Sequence, residues 1–302
     1  MNPAFFGAVL NSLDEQLAIL DRDGRIFFVN DSWVRFGAEN GLADDHEWLG
    51  TNYLGVCDAA RQHGDHDAEA AFKGVCAVLA GETPSFTLEY PCHSPDQKRW
   101  FILRVTPVKD SDGSTFVVSH QNITRRKLAE ETAEYLSQHD PLTGLVNRRR
   151  YNEFLAAEWR RGHRNKRPLC LLMLDLDNFK QYNDDKGHLQ GDLCLKAVAD
   201  ILRIQAKRGT DLSARFGGDE FSLVLGETPL QGGQHVAAAV LEKIRALGLK
   251  TTAGKSITAS IGLACRMPGA AEDCADGMAL VALADNALYA AKAQGKNRLG
   301  IG

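Results

Sequence analysis

Arg215-Phe216-Gly217-Gly218-Asp219-Glu220-Phe221 lies between an extended run that includes Ser213 and a second run, Phe221-Ser222-Leu223-Val224-Leu225. Two such runs parted by Gly-Gly read as a β-hairpin with a primed turn, because glycine reaches positive φ there without steric cost. The absence of Cβ atoms also lets a flat base or a phosphate approach the backbone closely. Asp219 and Glu220 place two carboxylates beside that gap. Gly-Gly-Asp alone would describe any tight hairpin with solvated acids, so the surroundings decide the reading.

Upstream, Cys170-Leu171-Leu172-Met173-Leu174 is a continuous apolar run that ends at Asp175. Such a run reads as a central strand buried on both faces. An acid directly after it is partly desolvated, and with Asp219 and Glu220 just past the neighbouring hairpin, three carboxylates converge with no Lys or Arg between them. Like charges that close raise one another's pKa unless a cation intervenes, and hard oxygen donors suit Mg²⁺ or Mn²⁺.

The string Gly217-Gly218-Asp219-Glu220-Phe221 resembles the signature of the GGDEF family, the bacterial diguanylate cyclases. His139-Asp140-Pro141-Leu142-Thr143-Gly144-Leu145-Val146-Asn147-Arg148 resembles the D-x-L-T-G-L-x-N-R opening of the same domain, and the resemblance covers about residues 139–300. It implies that two GTP become cyclic di-GMP and two pyrophosphates. It also implies two Mg²⁺ (or Mn²⁺) per site, held by Asp175, the Leu176 carbonyl, Asp219 and Glu220, with Asp219 helping to deprotonate the 3′-hydroxyl. Lys180, Lys292 and Lys296 match phosphate-contacting positions; at Lys296 many relatives carry Arg. Asn183 and Asp192 match the guanine-contacting positions. A carboxylate accepts from guanine N1–H and the exocyclic amine, and adenine would leave it unpaired, so GTP is favoured over ATP. Arg208-Gly209-Thr210-Asp211 matches the family's R-x-x-D inhibitory site in sequence and in its five-residue offset from Gly217. That implies product inhibition by cyclic di-GMP, with a non-catalytic cyclic di-GMP receptor as the alternative. One half-site holds one GTP, so the resemblance also implies a homodimer.

The elements expected around the hairpin are a helix from Asn147 to about Arg161, a helical turn after Asp175-Leu176-Asp177-Asn178-Phe179-Lys180, and a long helix from about Gln190 to Lys207. A helix from about Gln231 to Leu247, a strand Ile257–Ala264 and a last helix Gly277–Gln294 complete the set. An antiparallel hairpin among helix-separated strands fits an α+β, palm-like, ferredoxin-related sheet. No G-x-x-x-x-G-K-[ST] loop is present.

In the first half, Asn2–Leu13 carries apolar residues at helical spacing. Leu17–Leu20 and Ile26–Val29 flank Asp21-Arg22-Asp23-Gly24 as strand, turn and strand, and Asn30 or Asp31 caps a short helix with Trp33 and Phe36. A polar stretch, a helix Asp67–Leu79 and three extended runs follow: Ser85–Tyr90, Arg99–Val108 and Ser114–Asn122, the last two joined by Asp110-Ser111-Asp112-Gly113. This order, with Asn122-Ile123-Thr124 at its end, resembles a PAS sensor domain over about residues 5–124. His63-Gly64-Asp65-His66-Asp67 reads as a polar loop that caps the next helix rather than a metal or haem site, and the PAS ligand is left unknown. Arg125–Gln138 is a strong helix former with Leu128, Tyr135 and Leu136 as a short apolar seam. The expected division is therefore 1–124 sensor, 125–138 linker and 139–302 cyclase.

The 302 residues carry a formal net charge of −4, which gives no support for DNA or RNA binding. Seven cysteines without a C-x-x-C pair argue against a disulfide framework or a structural zinc site. No window approaches the ~18 apolar residues of a membrane span, and the expected location is cytoplasmic.

Overall fold

The computed structural model describes residues 3–43, 45–62, 64–109, 114–269 and 276–302. The chain divides into two compact units, Met1–Thr132 and Ala133–Gly302.

The first unit runs α1 (Pro3–Asn11), β1 (Gln16–Leu20), β2 (Ile26–Val29), α2 (Asp31–Glu39), α3 (Tyr53–Gln62), α4 (His66–Leu79), β3 (Phe86–Pro91), β4 (Trp100–Pro107) and β5 (Phe116–Asn122). The strands form one antiparallel sheet in the order β2-β1-β5-β4-β3. Asn30 is the cap of α2: its Oδ1 accepts from Trp33 N at 3.1 Å and from Leu17 N at 2.9 Å, which ties the helix to β1. The helix α3 stands where the sequence reads as a polar stretch. Tyr53 and Cys57, one turn apart, are its buried face, too sparse a stripe to show as periodicity. Asp65 caps α4 through Asp67 N and Ala68 N, as a capping loop should; His63 and the Asp110–Gly113 turn lie outside the described residues.

The helix α5 (Thr124–Gln138) has no buried residue, and its seam residues Leu128, Tyr135 and Leu136 are all exposed.

The second unit runs α6 (Arg148–Asn165), β6 (Leu169–Asp177), α7 (Phe179–Lys186), α8 (His188–Gln205), β7 (Asp211–Gly217), β8 (Glu220–Gly226), α9 (Leu230–Ala246), β9 (Thr258–Arg266), α10 (Gly277–Ala293) and β10 (Leu299–Ile301). Its sheet order is β10-β9-β6-β8-β7; β10 pairs parallel to β9 and the other pairs are antiparallel. The three-residue β10 was not foreseen, because so short an edge strand leaves no alternation to read.

Strand β6 is central, hydrogen-bonded on both sides, and its period of two sorts its side chains. Leu172, Leu174 and Leu176 join one core with Leu195 and Val198 of α8 and Val240 of α9. Leu169, Leu171 and Met173 join the other, with Tyr151 and Leu155 of α6 and Leu280 and Ala284 of α10. Asp175 and Asp177 continue the second series, so both carboxylates leave the strand on the α6/α10 face. Helix α10 lies directly on β9 there: a Cβ on Gly262 would overlap the backbone of Ala284 and Leu288. One turn beyond Leu288 comes Lys292.

Candidate active site

In register, Asp175 of β6 sits directly opposite Glu220, the first residue of β8. The hairpin differs from the Gly-Gly reading in one respect. Gly217 belongs to β7, with a bulge between Arg215 and Gly217, and pairs with Glu220; the two-residue loop is Gly218-Asp219. Gly217 has φ 142° and Gly218 φ 54°, while Asp219 stays outside the positive-φ set, so both glycines supply conformations a side chain would resist. A Cβ on either glycine would meet nothing within 4 Å, so the turn borders open space.

Arg215 holds this turn from behind. Its Nε and Nη2 donate to the Gly218 carbonyl at 3.1 and 2.8 Å, and Nη1 donates to both Asp140 oxygens at 2.9 and 3.1 Å. Asp140 also accepts from Thr143 N at 2.9 Å and Thr143 Oγ1 at 2.6 Å. Burial pushes the Asp140 carboxyl up, yet the Thr143 and Arg215 bonds outweigh it and hold the group below the usual carboxylate range. The motif read as the domain's opening therefore fixes the signature turn through one arginine to which the sequence assigned no role.

Asp175 is where the structure corrects the sequence. β6 runs two residues past it, so Asp175 is not the strand's end, and Leu176 and Asp177 have no partner on β8. A lysine does stand at the acids: Lys292 Nζ lies 2.8 Å from Asp175 Oδ2. Sequence reasoning missed this because α10 is more than 100 positions away. Among the described residues no three carboxylate, histidine or cysteine side chains form a metal-holding cluster, so the expected three-way convergence is reduced to Asp175 facing Glu220, with Asp219 near enough to act on Asp175 by charge. Burial pushes the Asp175 carboxyl up, the Lys292 hydrogen bond pulls it down, and Asp219 pushes it up again; the balance lies above the usual range. An oxygen-rich site with this residual repulsion fits a hard divalent cation, which would take over the compensation Lys292 supplies.

Asp177 shares the face but is fully satisfied. It is 2% exposed, and its oxygens accept from Thr258 Oγ1 at 2.7 Å, Ser260 Oγ at 2.8 Å and Asn297 N at 3.0 Å. The last bond anchors the turn with left-handed Lys296 and Asn297, φ 64° and 50°. The i, i+2 spacing of Asp175 and Asp177 was the available signal for a second acid on that face.

Asn183 lies on α7, and its Oδ1 is buried with no hydrogen-bond partner among the described residues. Gly191 leaves room for it, since a Cβ there would overlap that oxygen. Asp192 is half-buried on α8, one residue on; Lys180 and Lys296 are exposed. The Arg208–Asp211 pair is closed on itself: Nε and Nη2 fork onto Asp211 at 3.0 and 2.8 Å, and Nη2 also reaches Thr228 Oγ1 at 2.6 Å. Asp211 is 2% exposed in its side chain and Arg208 52%. The Asp211 hydrogen bond raises the Arg208 pKa, reinforcing a permanent charge.

No described helix is long and apolar enough to cross a membrane.

Residues 137–298 match the family described as "Diguanylate cyclase, GGDEF domain", and residues 10–128 match the family described as "PAS fold". The chain is 42% identical over 163 residues to diguanylate cyclase DgcP of Pseudomonas aeruginosa, covering 54% of this chain and 23% of that protein. It is 39% identical over 160 residues to diguanylate cyclase DgcS of Shewanella oneidensis, covering 52% of this chain and 50% of that protein. It thus spans half or less of these relatives' length. Among solved structures, the coiled coil and GGDEF domain of DgcB from Caulobacter crescentus, in complex with c-di-GMP, aligns with TM-score 0.53 and 28% identity, covering 60% of this chain and 93% of that one.

Proposed function

Because the chain belongs to the GGDEF domain family of diguanylate cyclases, we propose that its second unit condenses two GTP into cyclic di-GMP and two pyrophosphates, under the control of the PAS unit. The observation that carries this is the pairing of Asp175 with Glu220 across β6 and β8, with Asp219 on the β7–β8 turn. All the acids the reaction needs are present, which a degenerate receptor would lack.

In this reading Asp175, Asp219, Glu220 and the Leu176 carbonyl hold Mg²⁺ or Mn²⁺, two per site. When bound, the metal lowers the pKa of the attacking 3′-hydroxyl and offsets charge on the α-phosphate and the departing pyrophosphate. Asp219 receives the 3′-hydroxyl proton. Lys292 moves from Asp175 onto the triphosphate, so its ammonium compensates whichever anion the site then exposes; Lys180 and Lys296 add two further phosphate contacts. Gly217 and Gly218 let the nucleotide lie against the backbone. Asn183 Oδ1, unpartnered and buried, accepts from guanine's N1–H or exocyclic amine together with Asp192. An orphaned buried acceptor costs about 1–3 kcal/mol; guanine offers two adjacent donors at N1 and N2 for Asn183 and Asp192, whereas adenine has no donor at N1.

The reaction needs two half-sites face to face, so the working form is a homodimer; the exposed Leu128, Tyr135 and Leu136 seam of α5 is the surface offered for pairing. The functional division proposed is 1–124 sensor, 125–138 linker, 139–302 cyclase, and a GTP-consuming enzyme of this kind belongs in the cytoplasm. Product inhibition through Arg208 and Asp211 is the regulatory part of the proposal. The described hydrogen bonds of the Arg208 guanidinium use Nε and Nη2, which leaves Nη1 on a half-exposed side chain to meet a phosphate or a guanine edge.

The test is incubation of the purified chain with GTP and Mg²⁺, the products resolved by chromatography. Cyclic di-GMP and pyrophosphate in a 1:2 ratio are expected. Tight cyclic di-GMP binding without turnover would promote the receptor reading.

A further inference from the structure

The first unit holds a half-open cavity of about 470 Å³ between its helices and sheet, a size that suits one small organic molecule. Its deep wall is aromatic and apolar, with Trp33, Tyr53, Cys57, Leu103 and Tyr90 around His120. Tyr53 Oη lies 3.1 Å from His120 Nε2, and Tyr90 Oη lies 2.5 Å from Nδ1. Cys57, one turn along α3 from Tyr53, shares its buried face. Burial pushes the His120 pKa down to about 4 and both tyrosines upward, so every member is uncharged at neutral pH.

The hydrogens of this chain can be counted. Tyr53, His120 and Tyr90 each bring one, and two links join them, so one hydrogen remains whichever tautomer His120 adopts. If the hydrogens run from Tyr53 towards Tyr90, the Tyr90 hydroxyl is left as a free donor. If they run the other way, Tyr90 donates to Nδ1 and its oxygen keeps spare acceptor capacity, while Tyr53 holds the unused hydrogen. The Tyr90 end therefore offers a donor or an acceptor at the cost of a tautomer change. Both ring nitrogens are engaged, which leaves His120 no free lone pair for a metal.

The lining's charge narrows the occupant. Among the described residues no lysine or arginine lines the cavity, and its acids, Asp65 and Asp67, lie at the start of α4, where Asp65 is exposed. Arg99 donates to Asn40 Oδ1 and the Cys92 carbonyl of the lining and is itself outside it, so a carboxylate or phosphate at the His120 end meets no lysine or arginine of the lining. We propose that this cavity is a binding site for an uncharged aromatic molecule whose hydroxyl or amide group hydrogen-bonds Tyr90, at the end of the Tyr53–His120–Tyr90 chain.

The position suits a sensor. His120 is four residues before α5 begins, on β5. Glu89, beside Tyr90 on β3, binds Arg126 Nη2 and Lys127 Nζ of α5, each at 2.6 Å. A ligand that shifts Tyr90 thus acts on two attachments of that helix.

The experiment titrates the full-length chain with 4-hydroxybenzamide, phenol and indole as uncharged probes and with 4-hydroxybenzoate as the anionic counterpart, by calorimetry and by the fluorescence of Trp33 and Trp48. Saturable 1:1 binding of at least one uncharged probe is expected, with 4-hydroxybenzoate at least about tenfold weaker. Tyr90→Phe should weaken that probe about tenfold while the free protein still folds, its unfolding lowered by no more than the loss of the one bond to His120 Nδ1. His120→Phe is the second variant; should it fail to fold, Tyr90→Phe still decides. The proposal is overturned by no saturable binding of any uncharged probe to the wild type, by equal affinity for the benzoate, or by a Tyr90→Phe variant that binds like the parent. Cyclase activity enters none of these readouts, so their failure is distinct from failure of the proposed reaction.

Discussion

The cavity of the first unit and the acidic edge of the second bury polar groups in opposite ways. In the cavity, burial drives His120, Tyr53 and Tyr90 to their neutral forms and hydrogen bonds satisfy them. At the edge, Asp175 and Glu220 face one another with Asp219 close by, and Lys292 is the ion-pair partner of Asp175. The same contrast recurs two residues apart on β6, where Asp177 has three donors and Asp175 has the lysine. On β6 the acid with three donors holds structure, and the acid with a single cation partner is the one open to a ligand.

The sharpest break would come at the acids. Asp219→Ala or Glu220→Ala should lower cyclic di-GMP formation by at least about 100-fold with the unfolding transition unchanged, since each removes a proposed metal ligand. Turnover within a few-fold of the parent in both variants would return the acids to the status of solvated turn residues.

The two aspartates of β6 make the next test. Asp177→Ala strands two hydroxyls and the Asn297 amide, and should cost roughly 3 kcal/mol in urea unfolding. Asp175→Asn loses the Lys292 pair but also relieves a buried charge, so its cost should stay within about 1 kcal/mol while activity disappears. Equal stability losses in the two would erase the distinction drawn here.

The third test is pH. His120 titrates near 6.5 when unfolded and about 4 when folded, so the unfolded state takes up a proton first as pH falls. The stability His120 contributes is complete above pH 6.5 and declines as pH drops towards 4, by roughly 3 kcal/mol in all. Glu69 and Glu89 are held below the usual carboxylate range by Lys73 and by Lys127 with Arg126, so their losses come only at or below that range. Denaturant titrations of the first unit's transition between pH 7 and 5 should show the slope in the parent and its absence in His120→Phe. A flat parent profile would mean the ring is protonated as readily folded as unfolded.

Smaller effects concern selectivity and regulation. Asp192→Ser should raise ATP use relative to GTP by about tenfold; an unchanged ratio would assign guanine reading to Asn183 and backbone groups. Arg208→Ala should leave the initial rate unchanged and weaken cyclic di-GMP binding by about tenfold, so progress curves no longer flatten as product accumulates. Parent and variant flattening alike, with pyrophosphate removed enzymatically, would leave Arg208–Asp211 as the closed ion pair seen here.

Much of this molecule was legible in the chain because its signals are local. The apolar run of β6, the helix start at Asn147, the Asn30 cap, and the hairpin glycines each declare themselves within a few residues, since strand burial, capping and positive φ are short-range requirements. The family resemblance likewise named Asp175, Asp219, Glu220 and Asn183 as the residues to test. Tertiary structure alone decided what those residues meet. Lys292 reaches Asp175 because Gly262 lets α10 lie against β9, Arg215 joins Asp140 to the Gly218 carbonyl across 75 positions, and His120 comes between Tyr53 and Tyr90 from three separate elements. Nothing in local propensity encodes such meetings: charge compensation and hydrogen-bond satisfaction depend on distance in space, which only the packed sheet and helices fix.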